Sequence, residues 1–198
     1  STVDQSAPYF RVDGYWNGTV WMAHQWFFWK ALLDHGEDGL AWDVARTALS
    51  LWEGEARRTY NSFEHFVIET GRGAGWHHFG GLSSPVLCWY GAYLRPGRLT
   101  GGLDVWVTSR KVADDQRSME ATLVRDADAA AAGKVASLLV TLQDGETYRA
   151  TWNGAPVPAR PIVPGCVAVR LPADAVEGVL RVLAEPAEPG SRAAARGI

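Results

Sequence analysis

Up to about residue 95, apolar residues recur at helical spacing; beyond it they alternate as in strands. Trp21, Met22, Trp26, Trp29, Leu32 and Leu33 predict a helix over 19–35, with Thr19 as N-cap and Gly36 as its stop. Trp26, Phe27, Phe28 and Trp29 surround that helix, which suits burial on more than one side. Leu40, Val44, Ala45, Ala48, Leu49 and Trp52 share one face of a second helix over 40–55. The short link between the two makes them an antiparallel hairpin. Ser83-Ser84-Pro85, a cap and then a proline at a first turn, opens a third helix over 83–95. Segment 60–81 joins helices two and three as a glycine-rich loop without secondary structure, and a loop of that length is more often functional than idle.

After Arg95-Pro96-Gly97 the pattern changes. Strands are expected at 103–108, 119–125, 136–142, 146–152, 166–171 and 179–184, with a short helical turn or loop at 127–132. Gln143-Asp144-Gly145 is a turn signal that pairs two of these strands as a hairpin, and Asn153-Gly154 marks another turn. Several short strands separated by turns suggest a small antiparallel β-sandwich. The expected organisation is therefore multidomain, α then β: a helical unit over 1–96, a β-sandwich over 97–185 and a frayed tail over 186–198.

Charge and cysteine content narrow the function classes. The 198 residues carry a net charge of -3, which leaves no basic footprint for nucleic acid or for an anionic membrane. No apolar run approaches the roughly 20 residues of a bilayer span. Cys88 and Cys166 are too few for a disulfide framework, and Cys88, within an apolar helical pattern, is expected as a buried free thiol. No metal site or cofactor is expected. His77-His78 lacks the spacing of a metal motif, and neighbours on an extended loop point to opposite sides.

Candidate chemistry is concentrated in segments 15–29 and 60–81. Eight of the 10 Trp and all 5 His precede residue 90, a bias that core packing alone does not require. Glu64 lies between Phe63 and Phe66, with His65 beside it and Gly71, Gly73, Gly75, Trp76 and His78 following. Isolated, such a Glu is usually a solvated loop carboxylate. Among aromatic rings and beside a backbone that a ligand can approach, it suits sugar chemistry, because rings offer apolar faces to a pyranose and the carboxylate offers acid–base catalysis. Glu69 is the rival carboxylate, but it precedes Thr70-Gly71 as a turn residue would. Trp16 and Trp21 are candidates to line a sugar subsite, whereas Trp26, Trp29 and Trp52 have the spacing of core residues.

Three segments carry a resemblance: Tyr15-Trp16-Asn17-Gly18-Thr19-Val20-Trp21, Phe63-Glu64-His65-Phe66-Val67-Ile68-Glu69-Thr70-Gly71 and His78-Phe79-Gly80-Gly81-Leu82-Ser83-Ser84. In this order and spacing, over roughly residues 9–95, they resemble glycoside hydrolase family 63 and its relatives, which include processing α-glucosidases and mannosylglycerate hydrolases. The resemblance implies part of an (α/α)6 toroid, with the upstream part of the same barrel expected as partner. It also implies an inverting hydrolysis of an α-linked glucosyl or mannosyl unit, with Glu64 as general base and the general acid, an Asp, lying upstream. In that reading Trp16, Trp21 and Trp76 stack on or enclose the sugar. Tyr60, Asn17 and His78 hydrogen-bond its hydroxyls or orient the water, and Tyr15, Gly18 and His65 complete the substrate site. Asn17 stands where the family usually has Arg, and Thr19 where it has Pro. The rival reading is a non-catalytic carbohydrate-binding or scaffold protein that kept the toroid surface. A third is a sugar epimerase or lyase on a similar helical barrel.

Overall fold

The computed structural model describes residues 1–143 and 147–185. The elements run α1 (Met22–Asp34), α2 (Asp38–Thr59), β1 (Phe63–Phe66), β2 (Gly73–His77), α3 (Gly80–Ser83) and α4 (Pro85–Leu94). They continue with β3 (Arg98–Thr100), β4 (Val105–Val112), β5 (Ser118–Arg125), α5 (Ala127–Ala131), β6 (Ser137–Thr141) and β7 (Thr147–Trp152). The last are β8 (Ala155–Pro156), β9 (Ala159–Val163), β10 (Cys166–Arg170) and β11 (Glu177–Glu185). The proposed tail over 186–198 lies outside the described residues. Among the described residues, no helix is long and apolar enough to cross a membrane.

The chain divides into two compact units. One comprises Ser1–Lys30 with Leu40–Tyr90; the other comprises Ala31–Gly39 with the chain from Gly91 onward. The turn between α1 and α2 is thus part of the second unit, and two buried acids explain why. Asp34 accepts from the backbone N–H groups of Leu103 at 2.6 Å and Asp104 at 3.1 Å. Asp38 accepts from Ser137 Oγ at 3.0 Å, from Arg170 Nε at 3.3 Å and from Arg160. Burial pushes the Asp38 carboxyl up, but the hydrogen bonds from Arg160 and Ser137 and the two guanidinium charges outweigh it and hold the group below its ordinary value.

In the second unit the strands form a four-stranded sheet, ordered β3-β6-β10-β9, and a five-stranded sheet, ordered β4-β5-β11-β7-β8. Every pairing is antiparallel. One hydrophobic cluster draws on both sheets: Leu138, Val140, Val167 and Val169 from one, Leu123, Trp152, Leu180 and Val182 from the other. β5 alternates buried and half-buried positions, as a strand with one covered face should. β6 is buried at every position, and its Thr141 hydroxyl donates to the Ala92 carbonyl at the end of α4. The expected hairpin through Gln143-Asp144-Gly145 does not form. β6 and β7 lie in different sheets, so their connection passes from one sheet to the other; Asp144 and Gly145 themselves lie outside the described residues. The Asn153-Gly154 turn does join a hairpin, β7 to β8, with φ of +49° and +84°, as a two-residue primed turn requires.

In the first unit, helix α1 starts at Met22 instead of residue 19. Thr19 does not cap it; its hydroxyl donates back to the Tyr15 carbonyl at 2.9 Å. Trp29 is buried edge-on against Trp89, while Phe27 and Phe28 are exposed. Cys88, expected buried, is exposed, because it faces away from the side of α4 that buries Trp89. Segment 60–81 is not an unstructured loop: β1 and β2 pair as a hairpin. A buried acid fastens it. Glu55 of α2 accepts from Arg72 Nε at 2.7 Å and from the Gly73 N–H at 3.0 Å. The Arg72 hydrogen bond is the main reason that the Glu55 carboxyl is pulled from 4.5 down to about 2. A depressed carboxyl pKa contributes stability that is fully present above the unfolded value and is lost as pH falls towards the folded one. Thermal melts should therefore show stability falling between about pH 4.5 and 2. Glu55→Gln should lower the melting temperature at neutral pH and flatten that fall; an unchanged acid profile in the variant would disprove the assignment.

Candidate functional site

The site is built where the N-terminal segment crosses the β1–β2 hairpin. Val20 and Phe66 form an antiparallel bridge through both of their N–H···O bonds, at 2.8 and 2.9 Å. This lays segment 15–21 along β1. In the hairpin, Phe63 faces His77 and His65 faces Ala74, so the pair Gly75-Trp76 opposes Glu64 alone. That is a bulge in β2, and bulges re-aim side chains. Gly75 makes it feasible. Its φ is +75°, and a Cβ there would lie 2.6 Å from Glu64 Oε2 and 2.7 Å from His65 Cε1.

Glu64 is 6% exposed, and its carboxylate is partnered. Tyr15 Oη donates to Oε1 at 2.5 Å, and the Trp76 N–H donates to Oε2 at 3.3 Å. His65 Nδ1 stands 4.0 Å from Oε2, and that buried nitrogen has no hydrogen-bond partner. Burial pushes the His65 imidazole below its ordinary value, against the smaller opposing pull of the Glu64 charge. The Tyr15 phenol is raised, chiefly because it donates to Glu64, so it stays protonated as a donor. Glu69, the rival carboxylate, is exposed in the turn between β1 and β2.

Around Glu64 the aromatic rings form a continuous cluster. Trp16 stacks on Trp21 at 4.2 Å and 7°. Tyr15 meets Trp16, Trp21 and His65 edge-on at 5.3, 4.9 and 5.2 Å. Trp21 is 1% exposed, so its ring is a floor under Trp16 and does not reach a ligand as expected. Trp16, 56% exposed, has a free outer face, and Trp76 is 70% exposed. Asn17 and Gly18 are also structural in this chain. The Asn17 side-chain amide donates to the Tyr9 carbonyl. A Cβ on Gly18 would fall 1.5 Å from the Arg11 carbonyl oxygen, so only glycine fits that crossing.

Tyr60 and His78 both have positive φ, +55° and +56°, and both are exposed. The Asn61 side-chain carbonyl holds that strand end by accepting from the His78 N–H at 2.8 Å. His77 and His78 do not point apart: the left-handed backbone at His78 leaves the two rings 5.1 Å apart. Among the described residues, no three His, Cys, Asp or Glu side chains gather as a metal site would need. Sequence reasoning missed the roles of Gly75, Asn61 and His24, whose ring packs edge-on against Trp16 at 5.7 Å. Gly75 stood out with Gly71 and Gly73 as backbone that a ligand can approach, not as the residue that permits a bulge.

Residues 1–80 match the mannosylglycerate hydrolase MGH1-like glycoside hydrolase domain. A mannosylglycerate hydrolase of Thermus thermophilus is 32% identical over 88 residues, covering 44% of this chain and 20% of that protein. The chain thus spans about a fifth of the length of the curated relative that it matches. The family match includes the first two of the three segments in full and agrees with the resemblance that they carry: this part of the chain is similar to a glycoside hydrolase domain.

Proposed function

We propose that this chain supplies the base-bearing part of an inverting glycosidase centre acting on an α-linked glucosyl or mannosyl unit. The carrying observation is the Glu64 carboxylate, held between the Tyr15 hydroxyl and the Trp76 N–H beside exposed Trp rings. In this reading a water attacks the anomeric carbon and gives its proton to Glu64 as the glycosidic C–O bond breaks. A general acid outside this chain protonates the leaving oxygen, and the attack from the opposite face inverts the anomeric centre. Trp16 and Trp76 provide apolar faces for the sugar. Trp21 backs Trp16, Tyr60 and His78 are exposed as candidate hydroxyl partners, and His65 is buried beside Glu64 instead of on the sugar-facing surface. Exposed apolar side chains on α1 and α4, among them Phe27, Phe28, Leu87 and Tyr90, suit helices that meet neighbouring hairpins in a toroid. The shared hydrophobic cluster of the second unit suits a β-sandwich.

The stereochemistry of the product tests the mechanism. With an α-linked glucosyl or mannosyl glycoside and the complete protein, early proton NMR spectra should show the β-anomer of the released sugar before mutarotation. Release of the α-anomer first would overturn inversion. Saturable sugar binding without any hydrolysis would favour the binding-protein reading.

A further inference from the structure

Tyr15 is fixed at both ends. Its carbonyl accepts from Trp21 Nε1 at 2.8 Å and from Thr19 Oγ1 at 2.9 Å. Its ring is 47% exposed and meets Trp16, Trp21 and His65 edge-on, with interplanar angles of 86°, 87° and 89°. Its hydroxyl then reaches Glu64 Oε1 at 2.5 Å. The held backbone and the three ring contacts place the hydroxyl at Oε1, so that this oxygen of the buried carboxylate is occupied.

We infer that Tyr15 is a positioning residue for Glu64, occupying Oε1 and thereby directing proton acceptance to Oε2. The inference rests on the proposed role of Glu64 as base. Oε2 is the freer oxygen, since its one hydrogen bond, from the Trp76 N–H, is the longer at 3.3 Å. In the reaction the attacking water loses its proton to Oε2, and Tyr15 continues to donate to Oε1, which carries carbonyl character once Oε2 is protonated. Among the described residues, the contacts of the Glu64 carboxylate are Tyr15 from the N-terminal segment, His65 on the same strand with Nδ1 at 4.0 Å, and the uncharged Trp76 amide of β2; of the two titratable side chains, Tyr15 is the one hydrogen-bonded to it.

The test is Tyr15→Phe, which keeps the ring contacts and removes only the donor. In the complete protein kcat should fall roughly ten- to a hundredfold, the range for a lost hydrogen bond to a charged group, with KM little changed. Site-specific 3-fluorotyrosine at position 15, which keeps the hydroxyl donor and the shape of the ring, should retain kcat within a few fold, and it serves if Tyr15→Phe unfolds: a loss as large as tenfold with this donor in place would overturn the positioning role. Unchanged kcat in Tyr15→Phe, with Glu64→Gln inactive, would overturn the positioning role alone. A fully active Glu64→Gln would instead overturn the base assignment on which it rests.

Discussion

Glu64→Gln should lower kcat of the complete protein by roughly 10²–10⁴-fold, the contribution expected of a positioned general base, while sugar affinity changes little. The amide keeps the size of the carboxylate and can still accept from Tyr15, so the shape of the site survives. It cannot take a proton from water. The change should therefore appear in kcat and kcat/KM together, as for an interaction made only in the transition state. Glu69→Gln is the matching control: Glu69 is exposed in the hairpin turn, and its loss should leave kcat unchanged. If Glu69→Gln abolished turnover and Glu64→Gln did not, the base would be misassigned. If neither affected it, the glycosidase reading would fail.

Trp21→Ala should destabilise the first unit by about 3–5 kcal/mol, the usual loss for truncating a buried tryptophan. The ring is 1% exposed, stacks under Trp16, meets Tyr15 edge-on and tilts against His65 at 4.9 Å. Its Nε1 also holds the Tyr15 carbonyl. Denaturant titration should show the loss directly. Trp16→Ala provides the contrast. Trp16 is half-exposed with one free face, so its truncation should cost little stability but should weaken binding of a glycoside, measured by calorimetry. Equal stability losses for the two would mean that Trp16 is core and not a sugar platform.

Several elements were legible because their signals are local. The helical repeat of Trp29, Leu32 and Leu33 gave α1 within a few residues, and Pro85 marked the start of α4. Alternation gave β5 and β11, and Asn153-Gly154 gave the β7–β8 turn. Other features misled because the decisive partner is distant. Thr19 has the chemistry of a cap, yet its hydroxyl goes to the Tyr15 carbonyl, because the chain doubles back at Gly18. Gln143-Asp144-Gly145 carries the residues of a hairpin turn. Pairing is nevertheless decided by which strands bury both faces, and β6 takes β3 and β10 as neighbours.

The sequence by itself determined that a carboxylate stands among aromatic rings, that the first part of the chain is helical and that the later part is β-structure. Residue type and spacing along the chain suffice for that, since period and flanking residues act within a few positions. Only the tertiary structure decided which face of each ring is free and which atoms touch Glu64. Tyr15 and Glu64 are 49 residues apart, and they meet because the Val20–Phe66 bridge lays one segment along the other. The bulge that aims the Trp76 N–H at Oε2 depends on how β1 pairs with β2, and the burial of Trp21 depends on Trp16 folding over it. Such contacts are chosen by packing and hydrogen bonding between distant segments, which no local pattern records.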